Sequence, residues 1–221
     1  MPRQKKFCVE NVLEKAMVAF WDRGYHGTSL QSLVEYMGVN RASLYDTFDD
    51  KYSLFLDSLH AYKIIYIKSY LANQAKKHTP RQAIINYFLD MILKAEERNG
   101  CLIVNTALEI SPHDETVSQI VNEAFAYIEK NFFRKMIKKG QACGEISKTV
   151  VSTATAQALL SLLIGLCVLS RSNSSKPVMM AVVSQVKALL PPEKKTRGFP
   201  HPSRIPKNND RKSQPSVAHV V

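Results

Sequence analysis

Four side chains near the middle of the chain have the types and spacing for chemistry. Asn105, Glu109 and His113 repeat every four residues, and Cys101 stands one helical turn earlier. On one helix they would share a face, and a thiolate, a carboxylate and an imidazole could ligate a metal ion. Pro112 breaks such a helix before His113, so no metal is assigned and no cofactor is implied. Asn105 and Glu109 read instead as polar lining of a pocket or as plain helix-end contacts. The same stretch, GCLIVNTALEI (100–110), has only Cys101, Asn105, Thr106 and Glu109 as polar side chains. Tyr62, Tyr66 and Tyr70 also repeat every four residues, and with Tyr87 and Phe88 they could wall an aromatic pocket or pack against neighbouring helices. A pocket of this composition suits a small, mostly apolar effector with one or two hydrogen-bonding groups. Cys101 keeps a thiol-reactive, metal or redox signal as the second option. The six histidines are scattered. No nucleophile–base–orienter set and no Gly-rich phosphate loop can be drawn, so the chain does not read as an enzyme.

A second kind of chemistry lies in GVNRASLYDTFDDKYSLF (38–55). Asn40 can cap a helix of about two turns. Leu44 and Phe48, four residues apart, point inward. Arg41, Ala42, Ser43 and Tyr45 are left on a small, polar, cation-bearing surface. Such a helix fits the major groove of B-DNA, with Arg41 donating to guanine or phosphate and the Tyr45 hydroxyl reaching a phosphate.

These groups need helices to hold them, and nearly every segment has helical periodicity. Val9, Val12, Leu13, Ala16, Met17, Phe20 and Trp21 form one apolar stripe, with Gly24 as the stop. A second helix is expected to start at Thr28, with Gln31 completing a capping box, and to end at Gly38. The short third helix follows, and Asp49 and Asp50 suit the start of a fourth, 51–77. Thr79-Pro80 opens a fifth, reaching about Arg98. Further helices are expected over 102–110, from Asp114 to Lys139 with Gly140 as the stop, over 150–171 and over 176–189. The chain is therefore all-α with about nine helices. Two of the first three form the helix-turn-helix of a domain over 1–55 that includes a basic N-terminal arm, and a helical domain covers 56–190.

Leu159, Leu160, Leu162, Leu163, Ile164, Leu166, Val168 and Leu169 make the eighth helix apolar nearly all round, so it must be covered on every side. It is expected to pair with the ninth and their symmetry mates in a homodimer, through Leu160, Leu163, Ile164, Val182 and Val186, with Leu163→Glu giving monomers. Its apolar run, ALLSLLIGLCVLS (158–170), is short for a bilayer, so no membrane role is read.

The 221 residues carry a net charge of +11, which points to an anionic partner. Part of the excess lies in 191–221, which holds six of the ten prolines and seven basic against two acidic residues. That composition reads as a disordered tail. The four cysteines are far apart and form no disulfide or zinc pattern, and the N-terminus has no apolar signal core, so the cytoplasm is expected.

The stretch GYHGTSLQSLVEYMGVNRASLYDTFDDKYSLF resembles the DNA-binding domain of TetR-family transcriptional regulators. An aromatic-rich first helix, Gly24-Tyr25, Thr28-Ser29, Gly38-Val39, Leu44-Tyr45, Phe48 and Lys51 carry the resemblance over residues 7–56. GCLIVNTALEIS (100–111) is similar to a stretch of the ComR-like subgroup. The resemblance implies a ligand-responsive repressor that binds a palindromic operator in double-stranded DNA as a homodimer. It implies DNA contacts at Thr28, Arg41, Ala42, Ser43, Tyr45 and Lys51, and an effector pocket in the C-terminal domain, for which Tyr62, Tyr66, Cys101, Asn105, Thr106 and Glu109 are the candidates. Asp46-Thr47 depart from the family's pattern, which frequently has an aromatic, His or basic residue there. The charge alone would also fit an architectural DNA-binding protein, and the helices a helical interaction module without a DNA role.

Overall fold

A computed structural model describes residues 9–97 and 99–193 of the chain. The expected basic arm, Cys8 and all but the first three residues of the expected tail lie outside the described residues. Nine helical segments and no strand are found among the residues described.

Helix α1 (Val9–Arg23) buries Val12, Ala16, Met17 and Phe20 of the expected stripe together with Ala19, and leaves Val9, Leu13 and Trp21 partly buried. Gly24 ends it at φ +77°. Helix α2 (Leu30–Met37) has its cap one residue later than expected. Ser29 is its cap, and its capping box is closed by Ser32, not Gln31. The Gln31 side chain donates instead to Glu35 at 2.7 Å. Gly38, at φ +72°, donates its N–H to the Val34 carbonyl and turns the chain toward α3 (Arg41–Phe48). Asn40 caps α3, accepting from the Ser43 N–H at 2.8 Å.

Helix α4 runs over 51–77. It is capped by Asp50 and α-helical over Lys51–Tyr62, becomes π-helical over Lys63–Ser69, and is α-helical again over Tyr70–Lys77. It packs on α1 at one end and on the C-terminal helices at the other, so a single helix joins the two halves with no linker at residue 56. Helix α5 (Pro80–Leu93) continues into a 3-10 turn, Lys94–Glu97. Helix α6 (Leu102–Glu109) and a turn, Ser111–His113, lead to α7 over 115–142, which is π-helical over Tyr127–Arg134. Gly140 does not stop α7. A Cβ there would meet Ile146 Cδ1 at 2.6 Å, so this glycine serves close packing. The turn comes later, at Gly144, φ +77°. Helices α8 (Ser152–Arg171) and α9 (Lys176–Leu189) complete the bundle.

The core has two aromatic centres. Phe20, Tyr25 and Phe55 join α1 to α4. Tyr87, Phe88, Phe132 and Phe133 join α5 to α7. Residues 191–193 belong to the folded body rather than to a tail. The Ser147 N–H donates to the Pro191 carbonyl and the Lys148 N–H to the Glu193 carboxylate, both at 2.8 Å. Buried Leu190 just before them accepts from Arg81.

The eighth helix departs from expectation in its orientation. Leu163 (3% exposed) and Val186 (0%) are buried inside this chain, not on a face open to a second copy. Leu163→Glu would put a charge into the core, so it cannot report on assembly. The outer surface is carried by other residues: Gly165, with open space around it, and the exposed Val168, Val178 and Met180. As a whole, Ser152–Arg171 is long and apolar enough to cross a membrane by length and composition, contrary to the short run seen in sequence. Its buried face, with Leu159, Leu163 and Leu166, is taken up by the bundle.

Candidate nucleic-acid interface and aromatic cavity

Helix α3 is held from below by Leu44 and Phe48, both buried. That anchoring leaves Arg41, Ala42, Tyr45 and Asp46 exposed, with Ser43 and Thr47 partly covered. Arg41 makes no ion pair among the described residues, so its guanidinium is available for an acceptor outside the chain. The Thr47 hydroxyl donates back to the Ser43 carbonyl at 2.9 Å and is spent within the helix. Thr28 corrects an expectation. It is 1% exposed and its hydroxyl donates to the Gly24 carbonyl at 2.6 Å, so it cannot meet a phosphate. The neighbouring Ser29 is the exposed residue at the start of α2. Lys51 leans over the Tyr25 ring, its Nζ 4.1 Å from the centroid. Burial lowers its pKa, opposed by the nearby Glu109 charge.

The turn between α1 and α2 is clamped from the C-terminal half. The Glu109 carboxylate accepts from the backbone N–H groups of Tyr25 (3.1 Å) and His26 (2.8 Å). Gly24 makes room for it, because a Cβ there would lie 2.6 Å from Glu109 Oε2. Arg171, at the end of α8, donates to the carbonyls of Trp21, Asp22 and Asn99 at 3.2–3.3 Å. The Tyr52 hydroxyl donates to Asp114, the cap of α7, at 2.8 Å. Opposite charges thus satisfy both kinds of orphan group where α1 ends and the turn begins.

A cavity of about 290 Å³ opens between α4, α5, α6, α7 and α8, with Trp21 of α1 in its wall. Tyr62 and Tyr66 stack on each other, and the Trp21 ring meets both edge-on with centroids 5.1 and 5.2 Å away. The indole Nε1 is buried and has no hydrogen-bond partner among the described residues. Tyr70 hydrogen-bonds Asp90, and Gln74 donates to both. Burial raises the Tyr70 hydroxyl's pKa, followed by its bond to Asp90. The Tyr62 hydroxyl donates to Cys101 Sγ at 3.5 Å.

Cys167 of α8 lies beside Cys101. Its thiol is the main influence holding Cys101 down to about 6. Burial opposes this, while Tyr62 and the Val104 and Ile103 amides at the start of α6 add to it. The same contact raises Cys167, which stays protonated.

The expected pocket divides. Tyr62, Tyr66 and Cys101 line the cavity; Asn105, Thr106 and Glu109 do not. Cys101 precedes α6 in extended backbone, so it does not share a face with residues four and eight further on. Asn105 turns to the Asn99 carbonyl at 3.0 Å, Thr106 is buried in packing and Glu109 serves the clamp. His113 is exposed, and no His, Cys, Asp or Glu cluster fit for a metal occurs among the described residues. Leu160, Leu163 and Ile164, expected at a dimer contact, line the cavity, with Leu163 buried and Leu160 and Ile164 partly exposed. Trp21, Cys167 and Arg171 were not anticipated. Each acts on residues far away in sequence, and no local pattern marks them.

Residues 12–57 match the model of bacterial regulatory proteins of the tetR family, and residues 79–185 match a tetracyclin repressor-like C-terminal domain. The chain is 30% identical over 151 residues to the uncharacterized HTH-type transcriptional regulator YezE of Bacillus subtilis (strain 168), covering 66% of this chain and 78% of that protein. It is 26% identical over 193 residues to the HTH-type transcriptional repressor ComR of Escherichia coli (strain K12), covering 86% and 91%. Among solved structures it is similar to a cysteine mutant of the TetR family transcriptional regulator CifR complexed with 26bp double-strand operator DNA. That likeness has a TM-score of 0.75 and 26% identity, over 86% of this chain and 100% of the other.

Proposed function

The chain belongs to the TetR family of bacterial regulatory proteins, and from that premise we propose how its parts act together. It is a DNA-binding transcriptional repressor, not an enzyme, and works as a homodimer that answers to a small-molecule effector. Its place of work is the cytoplasm. The α3 helices of the two copies enter successive major grooves of a palindromic operator. Arg41, Ala42, Ser43 and Tyr45 face base edges, and Ser29 and Lys51 set the register on phosphate. Asp46 accepts from a cytosine amino group, since beside a phosphate it would be repelled. One observation carries this reading: α3 is capped and anchored from within, yet presents an unpaired arginine beside a small residue on its outer face.

The effector enters the aromatic cavity. Its walls include Tyr62 and Tyr66 on α4 and Trp21 on α1, the two helices that carry the DNA-binding unit. A ligand that binds better when these rings separate favours the state with α1 and α4 displaced. It can shift the equilibrium only by its difference in affinity for the two states. The dimer uses the outer faces of α8 and α9, around Leu162, Gly165, Val168, Val178 and Val182. Selection of duplexes from a random pool by the purified full chain tests the reading. A two-fold consensus with half-sites about one helical turn apart is expected. Weak, uniform retention of every sequence, lost as salt rises, would sink it.

A further inference from the structure

We infer that the cavity is a covalent sensor site for soft organic electrophiles such as enones, with Cys101 as the attacking sulfur, Cys167 and Tyr62 holding that sulfur, and the Trp21 N–H receiving the carbonyl oxygen of the ligand. This rests on the reading of the cavity as the effector site and names the chemistry of its ligand.

Three observations converge. Two thiols from distant segments meet on the wall of one cavity. The turn that brings Cys101 there is fitted against α8 at Cys167, since a Cβ on Gly100 would lie 3.0 Å from the Cys167 carbonyl oxygen. Trp21, which lines the same cavity, also holds an unpartnered donor: its Nε1 is buried behind the wall with no partner among the described residues, and such a donor costs free energy until the ring turns it to an acceptor that a ligand supplies. The rest of the lining is mainly apolar and aromatic, with Lys94, Asn99 and Ser170 as further polar side chains, and the space suits an organic molecule.

The shift of Cys101 to about 6 adds that its reactive form, the thiolate, predominates near neutrality. The thiolate forms a carbon–sulfur bond at the β-carbon of the enone. The C=C π pair shifts to the bond between the α-carbon and the carbonyl carbon, and the C=O π pair moves onto oxygen, where the Trp21 N–H stabilises the enolate. A proton equivalent to the one Cys101 lost to solvent on ionising returns at the α-carbon. Nothing is oxidised or reduced. The adduct stands between Cys101 and Trp21, a residue whose backbone carbonyl accepts from Arg171.

The test uses benzylideneacetone, an aromatic enone, with its saturated analogue benzylacetone as a competitor that cannot react. Intact-mass spectrometry and peptide mapping of the full chain follow labelling, with exposed Cys143 as internal reference. Cys101 should take up one probe at least about tenfold faster than Cys143, and benzylacetone should slow it. Trp21→Phe keeps an aromatic ring but removes the indole N–H, and should slow Cys101 about tenfold. Cys167→Ala should slow it as well, while Cys167→Ser, which keeps a donor, recovers part of the rate. Circular dichroism establishes that each variant is folded before its rate is compared. Labelling of Cys143 first, no effect of benzylacetone, or a Cys101–Cys167 disulfide with peroxide in place of any adduct would overturn the inference. The mass readout involves no DNA. Selective labelling with no operator binding would therefore keep the site and remove the repressor reading, and the reverse result would do the opposite.

Discussion

Arg41 and Thr28 resemble each other in sequence as polar residues near helix starts, but their surroundings give them opposite roles. Arg41→Ala should cost about 1–3 kcal/mol per half-site and relax preference at one base position. Competition binding against single-base operator variants measures this. Thr28→Val removes the buried bond to Gly24 and should cost about 1 kcal/mol of stability in urea unfolding. It should leave the salt dependence of DNA binding unchanged, because the hydroxyl never reaches phosphate. Cys101 supplies a pH prediction. Its alkylation by iodoacetamide should be half-maximal near pH 6, against an ordinary thiol value of 9.0. An acid whose folded pKa is depressed adds stability above its unfolded pKa and loses it as pH falls through the folded one. Cys167 shifts the opposite way, so the pair's stability terms offset, and the rate of alkylation is the cleaner readout.

Among the elements, the α1–α2 turn is where the two halves grip each other. Gly24 and Gly38 share nearly the same backbone, φ +77° and +72°, but only Gly24 has a neighbour in the way. Gly38→Ala should cost about 1 kcal/mol, the strain of a left-handed alanine alone. Gly24→Ala should cost about 2–3 kcal/mol, because the Cβ also displaces the Glu109 carboxylate from two backbone donors. In a Glu109→Ala background the Gly24→Ala cost should fall back to about 1 kcal/mol. Thermal unfolding of the four proteins closes the cycle, and additive costs would dissolve the clamp. The π-helical turns of α4 and α7 belong to the same scale. A wider turn changes the rotational phase of everything after it. Thus Ile64 stays exposed and off the cavity, while Tyr62, Tyr66 and Tyr70 all reach it and the half-exposed Ile65 stands at its edge.

For the molecule as a whole, assembly depends on residues that the single chain leaves exposed. Val168→Glu should keep the helical circular dichroism and yield monomers in light scattering at micromolar concentration. Operator affinity should then fall by about 100-fold or more, since the two half-sites are no longer linked. Leu163→Glu should lose helical signal instead. A folded, dimeric Val168→Glu protein would place the interface elsewhere. Truncation after Glu193 spares the contacts to the 147–148 loop and removes seven basic residues and one acidic one. The preferred operator should stay the same. Affinity should drop more at low salt than at high salt, because the lost cations no longer release counterions. A changed consensus would show that residues beyond 193 read bases.

The local chemistry of the sequence determined the elements. Asn40 and Asp50 cap, Gly24 and Gly38 turn, and Leu44 and Phe48 fix which side of α3 faces outward, because caps, positive φ and the 3.6-residue period act within a few residues. The fold class and the helix-turn-helix were legible for that reason. Tertiary structure decided which helix faces meet. Asn105 and Glu109 do share a face of α6, as their spacing says, but packing turns that face toward the Asn99 turn and the α1–α2 clamp. Cys101 begins outside the helix and goes to the cavity. Glycine showed the same limit, since Gly24 and Gly140 look alike as helix stops. Only Ile146, folded back against α7, makes Gly140 a packing residue. The eighth helix, apolar nearly all round, could not announce which of its leucines face this chain. That choice, like the meeting of Cys101, Cys167 and Trp21, comes from burying apolar area between segments that sequence spacing does not relate.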